Sequence, residues 1–136
     1  MISAYNSTTQ AVAADGAYVF DTNRIVTGCT VGHVPGTAAF TLNKPGYYYV
    51  TFNTVFTTDA TGDATIEIRN NGVVVPGATA TEAIAAADTA TSVAIAAIIK
   101  VLPSCAAIDN SATITIVSTG IALNASTAAI NITKLC

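Results

Sequence analysis

Along residues 48–56 the larger apolar side chains recur at every second position, with Tyr48, Val50, Phe52 and Phe56 on one parity and Tyr49, Thr51, Asn53 and Thr57 on the other. A period of two is that of a β-strand with one face buried. The rhythm returns in Ala64, Ile66 and Ile68 against Thr65, Glu67 and Arg69, and in Ala112, Ile114 and Ile116 against Thr113 and Thr115. It returns again in Ile130 and Ile132 against Asn131 and Thr133, and in Phe40 and Leu42 around Thr41. Each of these segments is expected to be a strand.

Turn chemistry separates them. Asn71-Gly72 follows Ile68 closely and precedes Val73-Val74-Val75, and Asn-Gly supplies the two positive φ angles of a type I′ hairpin turn. Lys44-Pro45-Gly46 reads as a second reversal, in which proline presets φ and glycine permits the turn. A connection containing Gly120, Asn124 and Ser126 is expected between the strands around Ile114 and Ile130. The span Thr79 to Leu102 is ambiguous, because Ala83-Ile84-Ala85-Ala86-Ala87 favours helix intrinsically. Val93, Ile95, Ala97, Ile99 and Val101 nevertheless share one parity and are mostly β-branched. The expectation is a loop to about Thr89 and then a strand. Short strands between turns from Tyr18 onward point to an all-β sandwich or barrel, read as one domain over residues 1–136. Residues 1–15 are expected to form an N-terminal arm or a first strand.

Composition sharpens this picture. The 136 residues are 51% hydrophobic and only 10% charged, against about 25% in an average protein. A core is within reach, and the surface must be covered largely by Thr, Ser, Asn and Ala, which suits contacts between subunits. A net charge of −3 lacks the basic field that gathers counter-ions from a phosphate backbone, so nucleic acid is not an expected partner. The longest apolar run, Ser92 to Leu102, is about half of a ~20-residue membrane-spanning helix and contains Lys100, so no membrane span is expected. The first residues show neither a basic nor an apolar export region, so no signal peptide is expected.

Candidate chemistry is sparse. Cys29, Cys105 and Cys136 are odd in number and lack CxxC spacing, which favours reduced thiols. A bridge between subunits through Cys136 and one intrachain pair are the alternatives. His33 is the single histidine, and Cys29 and Asp21 lie near it in sequence. Four residues along a strand separate Cys29 from His33 by about 13 Å, too far for a catalytic dyad. A turn or interface histidine is the better reading. Asp59 and Asp63 bracket a loop and are weak calcium candidates, because two carboxylates are few for a stable cage. Glu82 and Asp88 are too isolated to mark a glycosidase pair. Tyr47 and Tyr49 are the exposed aromatic candidates of their strand. The sequons at Asn6, Asn124 and Asn131 are read as chance. No catalytic residue and no cofactor is expected.

Two motifs carry a resemblance. Phe40-Thr41-Leu42-Asn43-Lys44-Pro45-Gly46-Tyr47-Tyr48-Tyr49-Val50 resembles the aromatic and Pro-Gly-Tyr entry into a long central strand of the tumour-necrosis-factor and complement-globular-head superfamily. The run from Ile66 to Gly77 is similar to the C-terminal domain of exosporium collagen-like glycoproteins, in the same superfamily. The resemblance implies an antiparallel jelly-roll β-sandwich assembled as a homotrimer, with the first and last strands side by side in the inner sheet. On that sheet Ile98, Leu102 and Leu135 become trimer-interface candidates. Phage structural proteins also use small trimeric jelly rolls. The expected function is therefore a non-enzymatic structural or surface module, such as a capsid decoration or a fibre head, on a virion or an extracellular surface. The alternative is a glycan- or receptor-binding adhesion module on a bacterial or spore surface, working through loop tips such as Asp59 to Asp63. Expected partners are the chain itself and, beyond it, other virion proteins or a host receptor or glycan.

Overall fold

The computed structural model describes residues 1–103 and 111–136; Cys105 lies outside them. Twelve strands form two antiparallel sheets among the described residues. They are β1 (Ile2–Asn6), β2 (Gln10–Val12), β3 (Gly16–Ala17), β4 (Thr22–Val26), β5 (Val31–His33) and β6 (Phe40–Leu42). The longer ones follow as β7 (Gly46–Thr57), β8 (Gly62–Asn70), β9 (Val73–Ile84), β10 (Thr91–Val101), β11 (Ala112–Gly120) and β12 (Leu123–Lys134). One sheet runs β10-β7-β12-β1-β4, with β2 on β12; the other runs β5-β6-β11-β8-β9, with β3 on β11. The first and last strands pair directly, Ile2 opposite Ile132. No described helix is long and apolar enough to cross a membrane.

The period-two pattern places the core. Tyr48, Val50, Phe52, Thr54 and Phe56 of β7 are all buried, and they face Ile66 and Ile68 of β8 and Ile114 and Ile116 of β11 across the sandwich. Between the sheets Phe20, Phe40, Phe52 and Tyr18 make edge-to-face pairs with ring centroids 5.0–6.1 Å apart. Asn71 and Gly72 both take positive φ, 51° and 82°, as a type I′ turn requires.

Two segments depart from expectation. Residues 79–84 belong to β9, paired with β8 from Glu67 opposite Thr79 to Gly62 opposite Ile84, so the loop is confined to residues 85–90. Main-chain pairing with β8 and the burial of Ile84 outweigh the helix preference of the alanines. Likewise Asn124 and Ser126 lie within β12, and only residues 121–122 separate β11 from β12. A register shift between Ala125 and Thr127 accommodates Ser126, whose hydroxyl donates to the Val55 carbonyl at 3.1 Å.

Tyr18 brings a polar tip into the core. Thr54 donates to the Thr127 carbonyl at 2.8 Å, and its oxygen stands 3.3 Å from the Tyr18 hydroxyl. Burial pushes the Tyr18 phenol from its ordinary value of 10.0 up to about 12, with the Thr54 hydrogen bond opposing the shift. Since the folded value is the higher one, the stability this phenol contributes is complete below pH 10 and is lost as pH climbs towards 12. Denaturant midpoints measured across that window should fall for the wild type. In Tyr18→Phe the fall should be shallower; an equal slope would place the alkaline sensitivity elsewhere.

Candidate functional site

Alternation in the β10-β7-β12-β1-β4 sheet turns one row of each strand away from the core. On β7 these are Tyr47, Tyr49, Thr51 and Asn53; on β10, Ala94, Ala96, Ile98 and Lys100; on β12, Ala129, Asn131 and Thr133; on β1, Ser3 and Tyr5. The register sets them in rows: Ile98 beside Tyr49 and Thr133, and Ala96 beside Thr51, Asn131 and Ser3. Lys100 is the one charged side chain among these rows, and its Nζ stands 5.6 Å from the centre of the Tyr47 ring.

The face is apolar at one end and hollow in the middle. Ile98 is 59% exposed, Tyr49 43% and Tyr47 41%. Leu102 and Leu135 are 61% and 54% exposed and lie at the same end, where Leu135 N donates to the Tyr47 carbonyl at 2.7 Å. Next to this cluster a shallow groove of about 370 Å³ is lined by Thr51, Asn53, Ala94, Ala96 and Asn131. Alanine on two consecutive outward positions of β10 forms its floor. The three sequence-derived interface candidates thus stand exposed and close to the same sheet end, together with Tyr47 and Tyr49. Sequence reasoning missed Asn131, Thr51 and the alanine floor. Their adjacency depends on the β7–β10 and β7–β12 registers, although their shared outward parity was visible.

The remaining candidates are held by local contacts. His33 lies in β5, stacked on Phe40 with centroids 4.0 Å apart, with Nδ1 2.5 Å from Asn23 Oδ1 and Nε2 2.9 Å from the Thr37 carbonyl. It is neither a turn residue nor paired with Cys29. Asp21 accepts from Ser7 N at 3.0 Å, from the Ser7 hydroxyl and from Thr22 at 2.9 Å. The Ser7 hydroxyl above all holds its carboxyl below the usual carboxylate range. Asp59 accepts from Asn124 Nδ2 at 3.3 Å, and Asp63 is the second residue of β8. No group of three His, Cys, Asp or Glu side chains among the described residues is arranged to hold a metal ion. Glu82 is exposed on β9, and Asp88 lies in the β9–β10 loop, its N–H donating to the Thr58 carbonyl. Cys29 and Cys136 are exposed thiols. Asn6 donates to the Thr8 carbonyl, and Asn131 to the Thr51 hydroxyl at 3.5 Å.

Two paired antiparallel sheets, with the first and last strands adjacent, define a jelly-roll sandwich. Two solved structures share it. The globular domain of zebrafish complement 1qA superposes with a TM-score of 0.70 at 13% identity, over 99% of this chain and 96% of that one. PRD1 vertex protein P5 superposes with a TM-score of 0.61 at 17% identity, also over 99% of this chain and 96% of that one. At these identities the likeness is one of fold. No family model and no curated protein matches the sequence.

Proposed function

We propose that this chain is a non-enzymatic structural or surface-attachment module that assembles as a homotrimer through the outer face of the β10-β7-β12-β1-β4 sheet. Its setting is a virion or an extracellular surface, a phage particle foremost. The observation that carries the reading is that sheet face, with Ile98, Tyr47, Tyr49, Leu102 and Leu135 exposed and Lys100 the one charge on its β10, β7, β12 and β1 rows. Exposed apolar groups gathered on one rigid face are the mark of an interaction surface. A three-fold assembly would cover the same face in every copy. The fold shared with a vertex protein supports the virion setting.

The test is the solution mass by light scattering at moderate salt, with and without reductant. A mass near three chains is expected in both conditions, because the contact uses no thiol. Ile98→Asp places a carboxylate in the apolar cluster and should reduce the mass about threefold while the circular dichroism of the fold is retained. A wild-type chain that stays monomeric overturns the proposal.

A further inference from the structure

Among the described residues, charge is sorted along the strand axis. At one pole lie the β6–β7 turn with Lys44, the end of β10 with Lys100 opposite Tyr47, and the end of β12 with Lys134 opposite Tyr48. Met1 and Cys136 are at this pole too. At the opposite pole Asp59 lies in the β7–β8 turn, Asp63 is the second residue of β8, Glu82 sits opposite Ala64, and Asp88 lies in the β9–β10 loop. Asp15, in the turn between β2 and β3, belongs there as well, and Asp21 lies on that half beside Ser7. Arg24 stands midway on β4, and Glu67 and Arg69 form an ion pair within β8. Among the described residues no acidic side chain falls at the lysine pole and no basic one at the carboxylate pole.

The 12 residues of β7 run from one pole to the other, and at about 3.4 Å per residue they separate the poles by roughly 40 Å. That exceeds the Debye length of about 8 Å at physiological salt, so each pole presents its own sign to a neighbour. Both poles are ends of one sandwich and share its cross-section. We propose that copies associate head to tail, the lysine pole of one seated on the carboxylate pole of the next. Such a contact is heterologous and stacks along the strand axis, across rather than within the sheet face already described. It goes beyond the trimer and does not depend on it: single chains and trimers alike carry the two poles. Exposed ion pairs are individually weak, so the association is reversible and sensitive to salt.

Sedimentation and light scattering over a concentration series test this. At about 10 mM salt, where the Debye length is about 30 Å, the weight-average mass should rise at least about twofold with concentration, and about 0.5 M salt should reverse it. The double variant Lys44→Glu with Lys100→Glu makes both poles acidic, and Asp59→Lys with Asp63→Lys and Glu82→Lys sets three lysines against the remaining Asp15, Asp21 and Asp88 and so removes the net negative charge of the carboxylate pole. Each variant alone should lose the rise, and an equal mixture of the two should regain it. A mass that ignores salt in the wild type overturns the proposal, and this arm needs no variant to fold. A mixture that associates no more than its components also overturns it. The mass at 0.5 M salt reports the sheet-face assembly separately, so a failed trimer appears there as a single chain whatever the stacking result.

Discussion

Replacing Phe20 with alanine should cost about 3–5 kcal/mol, a large share of the roughly 5–15 kcal/mol that holds a domain of this size together. Phe20 is fully buried and lies in the link that carries the chain from β3, in one sheet, to β4, in the other. Its ring meets Phe40 of β6 at 5.3 Å and Phe52 of β7 at 6.1 Å, one partner from each sheet, and His33 at 6.3 Å. The backbone is held there as well, with Phe20 N donating to the Thr37 carbonyl at 3.2 Å and Gly36 N to the Phe20 carbonyl at 2.8 Å. The site therefore cannot collapse to fill the hole, and the cost combines lost transfer energy with a persistent cavity. Urea unfolding should show a lowered midpoint at unchanged slope. Val34→Ala, at a side chain 67% exposed, should move the midpoint by less than about 0.5 kcal/mol. A Phe20→Ala cost below about 1 kcal/mol would show that the junction is not the packing centre described.

How far the fold could be read in advance depended on where each strand lies in its sheet. The strand β7 is central, so one face had to be apolar, and Tyr48 to Phe56 announce it. The strand β10 is an edge strand, yet its inner row Val93, Ile99 and Val101 packs on the core and keeps the parity visible. The strand β9 is an edge strand too, but apart from Ala78 and Ile84 its side chains are not buried, so residues 79–84 carried no apolar alternation to recognise. There the strand exists because β8 supplies hydrogen-bond partners, which is long-range information. In β12 the difficulty was chemical. Asn124 and Ser126 are turn-forming residues, and only the bulge beside Ala125 explains how they stay within the strand.

The candidate surface was legible to the same degree. Parity alone turned Ile98 away from the core, and Tyr47 and Tyr49 were the exposed aromatics of their strand. The alanine floor was out of reach, because Ala94 and Ala96 are unremarkable until the register brings Thr51, Asn53 and Asn131 beside them. His33 shows the same limit. Its partners Asn23 and Thr37 come from β4 and from the β5–β6 connection, a meeting that no local spacing encodes.

Gly120 makes the tightest backbone approach of any glycine in the molecule. It ends β11 opposite Ala64 with φ at 93°, and a Cβ added there would lie 2.1 Å from the Asp63 carbonyl oxygen and 3.2 Å from its carbon. Both obstacles are main chain, so no side-chain rotation relieves them. Gly120→Ala must therefore bear the left-handed backbone cost of about 1–2 kcal/mol and must also push β8 away from β11. Gly36 separates the two effects, since its φ of 90° is nearly the same and nothing lies within 4 Å of a Cβ built on it. Gly36→Ala should cost only the conformational part, about 1–2 kcal/mol, while Gly120→Ala should cost about 3 kcal/mol or more. Hydrogen exchange would show where the difference arises: in Gly120→Ala, protection should fall first between Gly62 and Thr65 of β8 and at the β11–β12 turn. Equal costs for the two substitutions would mean that β8 shifts freely at this end, and that the close packing of β11 on β8 is not what holds the turn.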